Sequence, residues 1–479
     1  MRRPRLLAIF CLGLAPWLNA QRRPVAFVDV TVVPMDGERL MSHQTVVVNK
    51  GRITQVAPSP SAHVPSDAVK INGSGKFLMP GLADMHVHFM RSTSGESQPF
   101  RSADDEANGR TTATTRSASA SSDNLRENQG LALLFVANGI TTVRNMWGNP
   151  AIDEFARTIN SGGTLGPHIY STGNITDGNP PTWEGSRVVE TREQAEQAVL
   201  SDKQAGYIAI KVYSRLSKDA YSAIIAAARR EELPVVGHVP AAVGLQGVIA
   251  ARQDSIEHLD RFLFALQRDS EAKDNSWGEL LRNVDLTKLP AFVQEIKAAD
   301  IWVCPTMVVA DPPRTDATWL EQKNFVPPGI LERYAQMYPG MATRTDPRGA
   351  PQGRAIFSAI LRGLHEGGAR LLLGTDTVKP GTLPGFSLHE ELASFVAAGM
   401  SPYEAIRAGT ADAALFLHQE SDFGTVATGL RADLLLLESN PLQDVKNVSK
   451  LVGVVVNGHW YTEKELTQRL GALRASYRH

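Results

Sequence analysis

Only two cysteines occur in the 479 residues, Cys11 and Cys304. Cys11 falls inside an apolar leader-like segment, so a chain that lost this leader would keep Cys304 alone. No internal disulfide could then form, whatever the redox state of the compartment. An excess of one charge is missing as well, with 49 Lys+Arg against 50 Asp+Glu and no basic run. Nucleic acid is therefore excluded as the main partner, because phosphate binding needs a concentrated positive field. Aromatic residues make up 7%, too few to suggest a stacking platform for RNA or carbohydrate. Long apolar runs are absent. The longest, LLAIFCLGLAPWL, covers 13 residues, whereas a membrane span needs about 20.

That run has a specific context. It follows the basic start MRRPR and leads to LNA, ending at Ala20. A charged region, a short apolar region and a small residue at the cut form the layout of a cleaved secretory signal, expected over residues 1–20. An uncleaved anchor is the competing reading. Cleavage predicts a periplasmic or secreted protein with no membrane attachment afterwards.

The remaining chain is long enough for two or more domains and rich enough in apolar residues for a large core. From Val25 to Lys76, VAFVDVTVV, QTVVVNKGRITQVA and VKINGSG are rich in Val and Ile, with turns at Asp36-Gly37 and Lys50-Gly51. The C-terminal runs GTVATGLRADLLLLESN and KLVGVVVNGHWYT have the same texture. Both ends are expected to build one small β domain, from residues 21–78 and 420–465, with 466–479 as a tail. Between them, residues 79–419 alternate strand and helix. Buried strands are expected at 82–89, 139–146, 167–173, 208–213, 234–239, 254–259, 301–307 and 369–377. Eight strands alternating with helices predict an α/β fold, a (β/α)₈ TIM-type barrel rather than an open sheet. Residues 91–125 break the pattern, being rich in Ser, Thr, Ala and Arg without apolar period. They read equally as a disordered surface loop or as a lid at the strand ends, where barrel active sites sit.

The chemistry-bearing residues fall at the ends of these strands. His86 and His88 are two apart on the first strand, so their side chains share a face. Such a pair can hold one metal ion, although H-x-H alone is a weak signal. Lys211 interrupts the apolar IAIKVY. A salt bridge or snorkelling to water would explain it. So would a neutral amine that reacts with carbon dioxide to give an anionic carbamate able to bridge two cations, since burial lowers a lysine pKa. His238 ends PVVGHV, His258 ends DSIEHL, and Asp376 lies in LLLGTDT. Each has a core or capping explanation as good as ligation, but together they form an imidazole and carboxylate set suited to zinc or a similar divalent ion.

These residues and their surroundings resemble the metal-dependent amidohydrolase superfamily, in its imidazolonepropionase-like and prolidase-like branch. PGLADMHVH is similar to that superfamily's first-strand motif. GITTVRNM, IKVY, GHV, IEHL and GTDT match later strands, and TGLRADLLLLESNPLQDVKNV with VVVNGHW looks like its closing β segment. The resemblance spans about Val25 to Tyr461. It implies a distorted barrel plus a β-sandwich from both termini. It also implies two divalent ions, with zinc the expected metal. His86, His88 and Asp376 would hold the more buried ion and His238 and His258 the second, bridged by a carbamate on Lys211. The chain departs from the family at Asn145, where Asp is usual, and in STGNITDGNPPTW after the third strand. Neither departure falls on a presumed ligand; both bear on substrate identity.

A metal-activated hydroxide would then attack a substrate carbonyl. Asp376 would shuttle the proton to the leaving nitrogen. Tyr213, two residues past Lys211, would donate to the oxyanion or to a substrate carboxylate, with core filling as the plainer role. His389, at the start of a helix, would touch substrate or simply lie exposed. The expected partner is a small-molecule amide: a dipeptide, an N-acyl amino acid or a related amide; homo-oligomerisation stays open. Cyclic-amide opening, a deaminase, a phosphotriesterase-like hydrolase and a non-catalytic binding protein are the alternatives. His238 is followed by Val-Pro-Ala-Ala, with no acid for protonating a ring, which argues against the deaminase.

Overall fold

The computed structural model describes residues 23–89, 120–268, 276–343 and 345–477. The expected leader lies outside them. So does the expected lid, except for its last residues, which begin the helix Ala120–Ala137. Among the described residues no helix is long and apolar enough to cross a membrane.

The two ends of the chain meet in one eight-stranded sheet. Val25–Val32 pairs antiparallel with Met41–Asn49 and parallel with Phe77–Pro80. Phe77–Pro80 then pairs antiparallel with Leu434–Leu437. That last ladder joins residues about 350 positions apart, and it does so because both strands are fully apolar and both faces can be covered. Phe27, Val46, Val48, Leu78, Leu434 and Leu436 pack as one cluster. The sequence reading ended this unit in a tail after 465. Instead the chain continues as the helix Glu463–Ser476, started by a reciprocal capping box between Thr462 and Glu465. Leu466 is its buried anchor.

The middle of the chain is α/β and TIM-barrel-like. Every strand expected there forms, and all are parallel. Leu82–Val87, Ile140–Asn145 and His168–Ser171 make a three-stranded sheet. Ile210–Val212, Val235–Gly237, Ser255–Glu257, Trp302–Cys304 and Arg370–Leu371 run side by side in a seven-stranded one. Single hydrogen bonds rather than regular ladders connect the two sheets. On one side Met85 N donates to Leu373 O (2.8 Å) and Asp376 N to His86 O (2.8 Å). On the other, Ile208 N donates to Ser171 O and Gly173 N to Ala209 O, both at 3.0 Å.

The unusual third-strand segment explains the second interruption. After Ser171 the chain breaks and resumes as Ile175–Asp177, which pairs with Lys211 and Val212. The helices between strands are amphipathic. Lys218–Arg230, capped by Ser217, buries Ala220, Tyr221, Ile224, Ile225, Ala227 and Ala228. Pro351–Glu366 buries Phe357, Ile360, Leu361 and Leu364. These stripes at three- and four-residue spacing hold the strands in place.

Candidate metal centre and active site

Six strand-end side chains converge on one cavity. His86, His88, Lys211, His238, His258 and Asp376 all line it, together with Tyr213, Trp147, Trp183, Tyr334, Tyr338 and Lys379. Parallel strands carry their C-terminal ends to one rim, which is why residues scattered from 86 to 376 can share it.

Three of the four histidines are aimed by what their outer nitrogen touches. His86 Nδ1 lies 2.8 Å from Glu257 Oε2, His258 Nδ1 2.7 Å from Thr306 Oγ1, and His238 Nδ1 3.1 Å from Ser214 Oγ. With the outer proton held in this way, each of these three rings can turn a bare Nε2 toward the cavity, the usual arrangement of a metal-bound imidazole. His86 Nε2 stands 3.4 Å from Lys211 Nζ and 3.5 Å from Asp376 Oδ1. His88 Nε2 is 3.0 Å from the same oxygen, and its buried Nδ1 has no hydrogen-bond partner. Potential ligand atoms of His86, His258 and Asp376 lie within 4.8 Å of one another. Burial is the main force lowering the pKa of all four rings, to about 4 for His88. They are therefore neutral and can donate lone pairs.

Lys211 is fully enclosed, and burial outweighs the attraction of Asp376 and Glu257 to bring its amine down to about 7. A neutral amine at that pH can react with carbon dioxide. Burial raises the pKa of Asp376, but Lys379 and a hydrogen bond from His88 hold it well below the ordinary carboxylate value. The donor set of imidazole nitrogens, one carboxylate and a modifiable lysine fits divalent cations.

Some backbone strain falls here, although most of the left-handed non-glycine residues lie elsewhere. His258 (φ 68°), Thr306 (φ 48°) and Asp376 (φ 51°) all occupy the left-handed region without being glycine. Such conformations persist where surrounding contacts over-determine them. Gly237, preceding His238, has φ 129°, and a Cβ there would sit 2.2 Å from Val212 O. Only glycine lets the strand approach so closely and still present His238.

Sequence reasoning passed over the layer behind the ligands. Glu257 accepts from Arg144 Nη2 (2.7 Å) and Ser255 Oγ (2.5 Å) as well as facing His86. Arg144, completely buried, also donates to Met85 O at 2.6 Å. Both are charged residues in apolar strands, the same signal that singled out Lys211. His86, Glu257 and Cys304 also form a cluster. Yet Glu257's oxygens are already engaged, and burial pushes the Cys304 thiol far up, which keeps it protonated.

Tyr213 does line the cavity. Its ring stacks on His238 with centroids 3.8 Å apart, and its oxygen accepts from Trp183 Nε1 at 2.7 Å. His389 is not brought to the cavity with the others. It is part-buried, its Nε2 faces Asn138 O at 3.1 Å, and it is not among the cavity-lining residues. The helix Phe386–Ala397 turns that side chain toward the end of Ala120–Ala137, away from the site. Asn145 is also outside the lining; it accepts from Phe89 N and donates to Ser171 Oγ.

An amidohydrolase family model matches residues 77–461. The chain belongs to the amidohydrolase family. Over 488 aligned residues it is 25% identical to ochratoxinase from Aspergillus niger, covering 90% of this chain and 86% of that protein. Two solved structures share the fold. The bottromycin amidohydrolase AH superposes with a TM-score of 0.70 at 23% identity, covering 95% of this chain and 91% of that one. A Xaa-Pro dipeptidase with methionine bound in its active site gives 0.65 at 20% identity, covering 92% and 100%. The chain is a hydrolase of carbon–nitrogen bonds, acting on amides or peptides.

Proposed function

We propose that this amidohydrolase is a binuclear enzyme that hydrolyses the amide bond of a dipeptide, an N-acyl amino acid or a related small amide. The carrying observation is the set of inward-turned imidazoles converging with Asp376 and an enclosed Lys211. In this reading the eight strands close into a barrel, the terminal sheet folds over as a sandwich, and the enzyme works in the periplasm or outside the cell. His86, His88 and Asp376 would hold one divalent ion and His238 and His258 the other, with the carbamate of Lys211 between them. Zinc fits these ligands best. Bound there, the ions would supply Lewis acidity and an acidified water.

The protein's own groups carry the rest. Water adds across the C–N bond, its oxygen going to the carbonyl carbon and its hydrogen to the leaving nitrogen. Asp376, ionised and aimed into the cavity, takes the proton and delivers it to nitrogen, since an amine leaves only when protonated. Tyr213 accepts from Trp183, so its own proton is available for the developing oxyanion. Trp147, Trp183 and Tyr338 wall off bulk water, which strengthens each of these interactions.

The test is metal analysis of the purified protein together with a panel of dipeptides, N-acyl amino acids and lactams. About two divalent ions per chain and chelator-sensitive release of amine support the reading. A protein that holds no tight metal and cleaves none of the panel refutes it.

A further inference from the structure

Lys379 belongs to no element of the metal centre, yet it reaches into the same cavity. Its side chain is 10% exposed. Its Nζ donates to Tyr338 Oη at 2.6 Å and stands 3.4 Å from Asp376 Oδ2. The faces of Tyr338, Trp183 and Tyr334 surround it at 4.3, 5.7 and 5.9 Å. Aromatic faces attract a cation but do not neutralise it.

The backbone that carries Lys379 is fixed. Lys379 N donates to Thr382 Oγ1 at 2.8 Å. Gly381 passes so close to Asp311 that a Cβ would fall 1.6 Å from its carbonyl oxygen. The ammonium is thus held in position rather than wandering at the rim.

Charge balance decides what it is for. Among the described residues Asp376 is the only acidic one lining the cavity. Once Asp376 binds a cation, Lys379 keeps a phenol oxygen and aromatic faces but loses its counter-charge. Two divalent ions beside it outweigh one carboxylate and one carbamate. An enclosed ammonium next to such a positive centre is costly unless an anion joins it. A substrate carboxylate whose carbon is two bonds from the scissile nitrogen would arrive where Lys379 Nζ stands, 3.4 Å from Asp376 Oδ2.

We propose that Lys379, backed by Tyr338 and Trp183, is the anchor for a free carboxylate on the substrate's amine portion, making the enzyme selective for N-acyl amino acids and peptides with an unblocked C-terminus. This rests on the amide-hydrolase reading above and names its substrate class.

The experiment compares N-acetyl-L-leucine with N-acetyl-L-leucinol, in which the carboxylate becomes a neutral alcohol. The metal-loaded wild-type protein should favour the acid in kcat/KM, mainly through KM. Lys379→Gln should erase roughly 30-fold or more of that preference, the lower range for truncating a buried hydrogen-bonded charge pair. Lys379→Arg should keep most of it. Equal discrimination in wild type and Lys379→Gln, or no discrimination in wild type, overturns the proposal while leaving the amide-hydrolase reading intact. If wild type cleaves neither compound, the wider panel tests that reading, and calorimetric binding of N-acetyl-L-leucine decides the anchor. Tighter binding to wild type than to Lys379→Gln supports it; equal or absent binding overturns it.

Discussion

Replacing Glu257 by Gln changes almost no volume and removes one charge. Both members of the pair are fully buried, Arg144 Nη2 and Glu257 Oε1 being 2.7 Å apart. A buried guanidinium without its counter-charge costs about 3–5 kcal/mol. The lower end applies here, because a Gln carbonyl can still accept from Arg144. The second consequence concerns His86. If the Gln carbonyl faces Arg144 and Ser255, its NH₂ faces His86 Nδ1, which must then present a lone pair. The ring proton moves to Nε2, which points at Lys211 and Asp376, and that nitrogen can no longer ligate a metal. If the amide flips, its NH₂ faces the guanidinium instead, donor against donor. Losing such an outer partner lowers metal affinity by about 10–100-fold. Chelator competition measures the affinity. Denaturant titration of the metal-free protein measures the stability without the contribution of binding. Wild-type affinity together with an unchanged unfolding midpoint would refute the account of how His86 is aimed.

Asp376→Asn keeps the fold and bound metal but should lose turnover by at least about 100-fold, the usual worth of a positioned proton carrier; turnover at the wild-type rate excludes the shuttle. Lys211→Gln cannot form a carbamate, so elemental analysis should find at least one of the two ions missing, and two retained ions would rule out a bridging role. His389 is held neutral, with burial bringing it to about 4 despite a raising hydrogen bond to Asn138. Its folded pKa lies below the unfolded value of about 6.5, so the stability it contributes is present above pH 6.5 and is lost as acid is added down to about pH 4. The slope is on the order of 1 kcal/mol per pH unit. His389→Gln should flatten the fall of the denaturation midpoint across that window, and identical slopes in both proteins would contradict this.

Strand periodicity made the order of the α/β unit legible, because buried parallel strands are short apolar runs and each ligand ends one of them. The sheet from both termini was legible for the same reason: Val-rich runs at either end match in texture. Two features are less legible, for another reason. The C-terminal residues carry little apolar pattern, although Thr462 and Glu465 spell the capping box of their helix, and the helix bearing His389 follows the eighth strand, a place that suits either substrate contact or exposure. Chain position says nothing about which way a helix is rolled, and the contact of His389 Nε2 with Asn138 O sets the direction of that side chain.

Residue type and spacing alone marked His86, His88, Lys211, His238, His258 and Asp376 as candidates for the chemistry, since polar groups seldom end apolar strands without a task. Only the tertiary structure decided which nitrogen of each imidazole faces inward, that Glu257 and Arg144 stand behind His86, and that Lys379 enters the cavity among Trp183, Tyr334 and Tyr338. Those facts depend on contacts between residues far apart in the chain, made by side chains whose direction is fixed by packing and by hydrogen bonds across strands, and no local pattern records them.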